Sequence, residues 1–166
     1  MNDFPALLSA FAHAVETNDG PGLARLFTHD GTYVDYFFGP YTGDKAIGDM
    51  LAHFHEGGRD YRWEFLDPIS DGTLGYAHYR FSYVSTLPEA KGRAVIFDGM
   101  SCFRFEGGNI QRYSEVFDRG AALAQLDFAP ERIKKSLLRW SSKHNAAPDA
   151  QGHVTRLKAL GASTLG

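Results

Sequence analysis

The apolar positions of this chain change their period as they run, and each change marks an element. Phe4, Leu7, Leu8, Phe11 and Val15 recur at three- and four-residue spacing behind Asp3, with Pro5 in the first turn. They predict a helix that stops at Asn18-Asp19-Gly20. Pro21 to Phe27 predicts a short second helix, and His29-Asp30-Gly31 a turn. Thr32 to Phe37 predicts a first strand that contains Asp35 and breaks at Phe38-Gly39-Pro40. A third helix is expected from Gly43 to His55, with Ile47, Met50, Leu51 and Phe54 on one stripe. From there the period falls to two. Asp60 to Leu66 and Gly75 to Thr86 read as strands, the second with Ala77, Tyr79, Phe81 and Tyr83 on one face and Tyr76, His78, Arg80 and Ser82 on the other.

Ala94 to Asp118 reads as two long strands joined at Glu106-Gly107-Gly108-Asn109. Phe97, Gly99, Ser101, Phe103 and Phe105 share one face; Ile96, Asp98, Met100, Cys102 and Arg104 share the other. A three-residue loop places Phe103 opposite Tyr113, Ser101 opposite Glu115 and Gly99 opposite Phe117. A two-residue loop instead sets Ser101 against Ser114 and turns Glu115 outward. The three-residue loop is expected, because it gathers Tyr113 and Phe117 on the aromatic face. Beyond the hairpin, Gly120 to Leu126 predicts a helical turn and Pro130 to Lys143 a basic amphipathic helix carrying Ile133, Leu137 and Trp140. Asn145 to Gly152 reads as a linker, and the last residues as a weak helix or a flexible, disordered tail.

Helices followed by a meander of strands predict an α+β domain over residues 1–128, with residues 129–166 as a basic helix and tail. The expected architecture is a cone-shaped, curved antiparallel sheet wrapped around the N-terminal helices, with an extra C-terminal helix. The outer sheet face (His78, Arg80, Met100, Cys102) is not cleanly polar, so a homodimer burying it is expected.

Composition sharpens this picture only in places. Thirteen Phe and eight Tyr cluster in the strands, which suits an aromatic-walled cavity and equally suits good strands. Residues 1–128 hold 10 Lys/Arg against 18 Asp/Glu, and residues 129–166 hold 7 against 2. The basic tail is read as packing on acidic protein surface, because no zinc-ligand spacing or aromatic–basic interleaving accompanies it. Neither a nucleic acid nor a membrane is expected as a partner. The lone Cys102 fits a reducing cytoplasm, no signal peptide is discernible, and no segment has the length and apolarity of a membrane span, so a soluble cytoplasmic protein is expected.

Two carboxylates carry the candidate chemistry. Asp35 lies on a strand among Tyr33, Phe37 and the aromatic walls, where desolvation would raise its pKa toward that of a useful general base. Its structural alternative is a strand-end Asp bonding local backbone or an Arg. Glu115, opposite Ser101, would share a proton network with Asp35, one acid protonated and the other ionised. The alternative there is an ion pair with Arg80, Arg104 or Arg112. Tyr79, Tyr83 and Tyr113 are candidate hydrogen-bond donors, and Phe11, Tyr33, Phe54, Trp63, Phe81, Phe97, Ser101 and Phe117 candidate substrate contacts. His53 and His55, two apart on a helix, face different ways, so no metal site is expected; nor is any cofactor.

The segments GTYVDYFFGPYTGDKAI and CFRFEGGNIQRYSEVFDRGAALAQL resemble the nuclear transport factor 2-like superfamily of ketosteroid isomerases, scytalone dehydratases, limonene epoxide hydrolases and SnoaL-like polyketide cyclases. The resemblance covers residues 4–128. It implies that Asp35 sits where the isomerases keep their general base, and that Glu115 falls where epoxide hydrolases carry one carboxylate. The departures exclude close copies. Phe11 stands for the isomerases' oxyanion-hole Tyr, Ser101 for their proton-donating Asp and Tyr83 for the dehydratases' His, and the Arg-x-Asp partner of the epoxide hydrolases is missing. What remains is a small-molecule enzyme on a hydrophobic, ring-containing substrate, of isomerase, cyclase or dehydratase type. The competing reading is a non-catalytic ligand-binding or dimerisation module.

Overall fold

The computed structural model describes residues 3–165; Met1, Asn2 and Gly166, the ends of the two predicted domains, lie outside the described residues. It divides into two units, residues 1–126 and 127–166. In the first, helix α1 (Phe4–Glu16) and the short α2 (Gly20–Ala24) lead into strand β1 (Phe27–Asp35). Strand β2 (Gly39–Thr42) and helix α3 (Asp44–Glu56) precede β3 (Gly58–Ser70), β4 (Leu74–Ser85), β5 (Ala94–Glu106) and β6 (Asn109–Phe117), and α4 (Arg119–Gln125) follows. Among the described residues no helix is long and apolar enough to cross a membrane.

The six strands form one sheet in the order β2-β1-β6-β5-β4-β3. This corrects the expected architecture. The sheet is mixed, because β1 runs parallel to β6, and it is neither curled into a cone nor closed, because β2 and β3 remain at opposite edges. The cone rested on reading the strands as one antiparallel meander. The first strand instead crosses the whole chain in sequence to pair with the last, a long-range choice that no local pattern records. Helix α1 packs on β3 and α3 on β1 and β2, while Ile96, Met100 and Val116 stay more than two-fifths exposed. The His29-Asp30-Gly31 segment, expected as a turn, is part of β1, with an irregularity between Phe27 and Thr32. Strand β3 likewise continues past Asp67-Pro68 by a bulge, with Asp67 at φ +49°, and the proline is tolerated because β3 is an edge.

The hairpin of β5 and β6 settles the register in an unexpected way. Its turn has two residues, Gly107 and Gly108, both with positive φ, as a tight twisted hairpin turn requires. A bulge at Gln111 then shifts the ladder, so Phe103 faces Tyr113, Ser101 faces Glu115 and Gly99 faces Phe117. Without that bulge Arg112 would point into the aromatic core, at the cost of burying an unpaired charge. The expected facing residues are thus present, over a shorter loop than expected.

The core lies between α1 and the sheet. Phe11, fully buried, contacts the rings of Tyr33, Trp63, Phe65, Phe103 and Tyr113, and so ties one helix to four strands. In the second unit, α5 (Pro130–Ala146) carries the basic amphipathic pattern and buries none of its residues. The stretch expected as a linker is the end of α5, a single helical turn at Pro148–Ala150 and the start of α6 (Gln151–Ala159).

Candidate active site

Strand parity brings six polar side chains of the first unit to the covered face of the sheet. They are Tyr33 and Asp35 from β1, Tyr79 from β4, Ser101 from β5, and Tyr113 and Glu115 from β6. Glu115 is their focus. Its Oε2 accepts the Tyr79 hydroxyl at 2.6 Å and the Tyr113 hydroxyl at 3.0 Å. Tyr113 in turn lies 3.0 Å from Ser101 Oγ, so a Ser101–Tyr113 pair and, separately, Tyr79 converge on one carboxyl. Phenols that donate to a carboxylate favour its charged form, but burial works the other way and wins. Desolvation, reinforced by nearby Asp35, pushes the Glu115 carboxyl up from 4.5 to about 8. The same burial, with Glu115 beside them, raises the phenols of Tyr33, Tyr79 and Tyr113, so all three remain protonated donors.

Asp35 ends β1, with only 8% of its surface exposed. Its Oδ1 accepts the backbone N–H groups of Phe37 and Phe38, each at 2.8 Å, and fixes the turn into β2. Burial raises its pKa, while those two amides pull it back toward ionisation. Oδ2 takes no hydrogen bond from the described residues, so one oxygen is structural and the other is available. Asp35 sits close enough for its charge to help raise the Glu115 carboxyl. The Tyr36 amide also helps to hold Glu115, and the Tyr36 carbonyl accepts from Arg119, whose guanidinium lies 3.8 Å over the Tyr36 ring.

The aromatic candidates fall into three groups. Phe97 and Phe117 stack at 4.3 Å beside this cluster, with Phe37 edge-on to Phe117 at 5.1 Å. Phe11 and Trp63 form its packed floor. Trp63 lies 5.0 Å from Tyr79, and its buried indole Nε1 has no hydrogen-bond partner among the described residues. Phe54, Phe81 and Tyr83 surround Tyr61 instead, whose hydroxyl donates to the Phe54 carbonyl at 2.8 Å. This third group touches the first through Phe81 and Phe97 and does not bond the carboxyls. Sequence reasoning missed Tyr61 and Arg119, and named Phe37 and Gly99 only as neighbours on their strands; of these Gly99, a glycine at an inward position of an aromatic strand, carried a further signal. The histidines are engaged elsewhere: His53 with Glu56, His55 with the Val15 carbonyl, and His78 with Asp98 on the outer face. Among the described residues no cluster of His, Cys, Asp and Glu is arranged to hold a metal.

Helices on one face of an open mixed sheet give an α+β domain with a ketosteroid isomerase-like fold. The chain belongs to the SnoaL-like domain family, which its residues 8–113 match. Solved structures share this fold at low identity. One is a protein with a ketosteroid isomerase-like fold from Catenulispora acidiphila, in complex with trimethylamine; it is 21% identical, has a TM-score of 0.67, and matches over 76% of this chain and 98% of that one. A protein from Shewanella putrefaciens, provisionally assigned as a SnoaL-like polyketide cyclase, is 17% identical with a TM-score of 0.65 over 76% and 98% of the two chains. An LEH-like epoxide hydrolase from M. tuberculosis is 16% identical with a TM-score of 0.60 over 80% and 92%. At these identities the likeness is one of fold. No curated protein matches the sequence.

Proposed function

We propose that this protein is a small-molecule enzyme acting on a hydrophobic, ring-containing substrate by general acid–base chemistry, of isomerase, cyclase or dehydratase type. The observation that carries the reading is the pairing of two carboxyls on the covered sheet face with different partners, Asp35 on backbone amides and Glu115 on phenols. Two backbone amides favour the charged form of Asp35, and Oδ2 is left to accept a proton. Glu115, raised to about 8, keeps its proton at neutral pH and serves as the acid. In this scheme Asp35 removes a proton next to a carbonyl. Glu115, steadied by Tyr79 and Tyr113, protonates the oxygen that gains charge or departs. Phe37, Phe97 and Phe117 would flank a flat ring, and the chemistry asks for no cofactor. The assignment of neighbouring folds to cyclases and an epoxide hydrolase supports ring substrates.

A second reading has its own observation. Asp35 caps a turn, and Phe11, Tyr33, Trp63, Phe103 and Tyr113 pack ring against ring, which fits a ligand-binding or dimerisation module without turnover. Asp35→Asn separates the two, because asparagine keeps an oxygen for both amides and loses the basicity. Ring ketones and phenols that raise the melting temperature would be tested for turnover with both proteins. The enzyme reading expects the variant to bind and to lose at least about a hundredfold in kcat. Full activity in the variant sinks Asp35 as the base, and binding without turnover in the wild type favours the module.

A further inference from the structure

Strand β5 carries Gly99 at an inward position between Phe97 and Ser101. A glycine inside a strand weakens it and marks a place where another group comes close. Distance identifies that group. A Cβ on Gly99 would lie 2.3 Å from both Cζ and the hydroxyl oxygen of Tyr79, far inside van der Waals contact. Tyr79 faces Gly99 across the β4–β5 ladder, whereas Glu115 faces Ser101 across the β5–β6 ladder, one inward position away. To set its hydroxyl 2.6 Å from Glu115 Oε2, the Tyr79 ring lies over Gly99 and spans β5 from one neighbouring strand to the other. Any side chain at position 99 stands in its path. We infer that Gly99 is a positioning residue of the acid–base site, its bare Cα admitting the tyrosine of β4 that holds the carboxyl of β6. The inference rests on the proposed function only for its catalytic consequence.

A purely structural account of the same pair exists, since an aromatic ring laid across a glycine shields the backbone and stabilises the sheet. That account predicts a loss of stability and no change in how Glu115 titrates. The positioning role predicts such a change, because the Tyr79 hydroxyl favours the charged carboxylate against burial and Asp35. The other groups facing Glu115 are Tyr113 on its own strand, Ser101 from β5 through Tyr113, and Tyr33, Asp35 and the Tyr36 amide at the end of β1. Moving Tyr79 away removes one of the two phenol donors and leaves these in place.

The test is a carboxyl-carbon NMR titration of the full chain, with the Glu115 signal assigned by Glu115→Gln. Gly99→Ala is expected to raise the Glu115 midpoint by on the order of one pH unit, and Tyr79→Phe to do the same. The double variant should show no more than either single change, as two alterations of one interaction do. An unchanged midpoint in a folded Gly99→Ala protein overturns the inference, and so do additive shifts. If Gly99→Ala alone does not fold, Gly99→Ala with Tyr79→Leu vacates the disputed space and is expected to restore folding. Failure of that rescue places the clash elsewhere and also overturns it. A shifted midpoint in a protein without turnover on ring ketones upholds Gly99 as the positioning residue and counts against the proposed function instead.

Discussion

Replacing Glu115 by glutamine is expected to stabilise the protein above neutral pH, although it removes a charged partner from two tyrosine hydroxyls. Glutamine keeps an oxygen to accept from Tyr79 and Tyr113 and removes the titration. In the folded protein the Glu115 carboxyl is raised from 4.5 to about 8 by burial and by Asp35. Below about pH 4.5 it is protonated folded and unfolded alike, and contributes nothing to pH dependence. Between there and about pH 8 only the folded state holds the proton, so stability falls as pH rises. Above about pH 8 both states have lost it, and the penalty is constant. At about 1.4 kcal/mol per pH unit the full penalty is roughly 5 kcal/mol, an upper figure for a group that is partly solvated. Against a total stability of about 5–15 kcal/mol this is easily measured. The assay is urea unfolding of wild type and Glu115→Gln near pH 5 and near pH 9 (about three units below the folded midpoint and about one above it). Every other ionisable group is common to both proteins, so the difference between the two isolates Glu115 to first order. The variant's advantage should grow by several kcal/mol across that range. Parallel pH curves would refute the reasoning and show a Glu115 already ionised and solvated in the folded state.

Asp35→Ala strips the acceptor from two amides and should cost about 1–3 kcal/mol, whereas Asp35→Asn should cost much less; chemical denaturation of the pair checks this. Phe11→Ala leaves a hole beneath four strands and should lower stability by about 3–5 kcal/mol, read by thermal or urea melting. The outer sheet face, with Ile96, Met100 and Val116 exposed beside the Arg80–Asp98 ion pair, is the proposed homodimer contact. Sedimentation at micromolar concentration should therefore give a dimer mass for the wild type and a monomer for Met100→Lys, and a monomeric wild type contradicts it.

Where a regular period ran along one element, the sequence carried the decision. The helix over residues 4–16 follows from Phe4, Leu8, Phe11 and Val15, all of which prove buried, and the inward parity of Tyr79, Ser101 and Tyr113 follows from the period of two. Decisions between distant segments were not legible. Pairing β1 with β6 in parallel depends on the last strand being present, and neither strand's own pattern of apolar residues distinguishes it from a meander. The hairpin shows how two local signals can conflict and both be met. Gly107-Gly108 asks for a two-residue turn, and the aromatic parity of Phe103, Tyr113 and Phe117 asks for one residue more. The bulge at Gln111 supplies that residue where the side chain is free to leave the ladder.

The sequence reads Asp35 as either a backbone cap or a base, and the structure allows both because a carboxylate has two oxygens. Oδ1 spends its acceptor capacity on the Phe37 and Phe38 amides, which fixes the side chain and favours its ionised form. That immobility leaves Oδ2 in one place, and a general base must be held in place to act. The cap therefore orients the base. It follows that Asp35→Glu, which keeps the charge and lengthens the side chain by one methylene, should lose the turn and misplace the basic oxygen together. If Asp35 were only a cap, stability would fall in that variant while kcat per folded molecule held; if it is the base as well, both should fall, with kcat down by about a hundredfold or more.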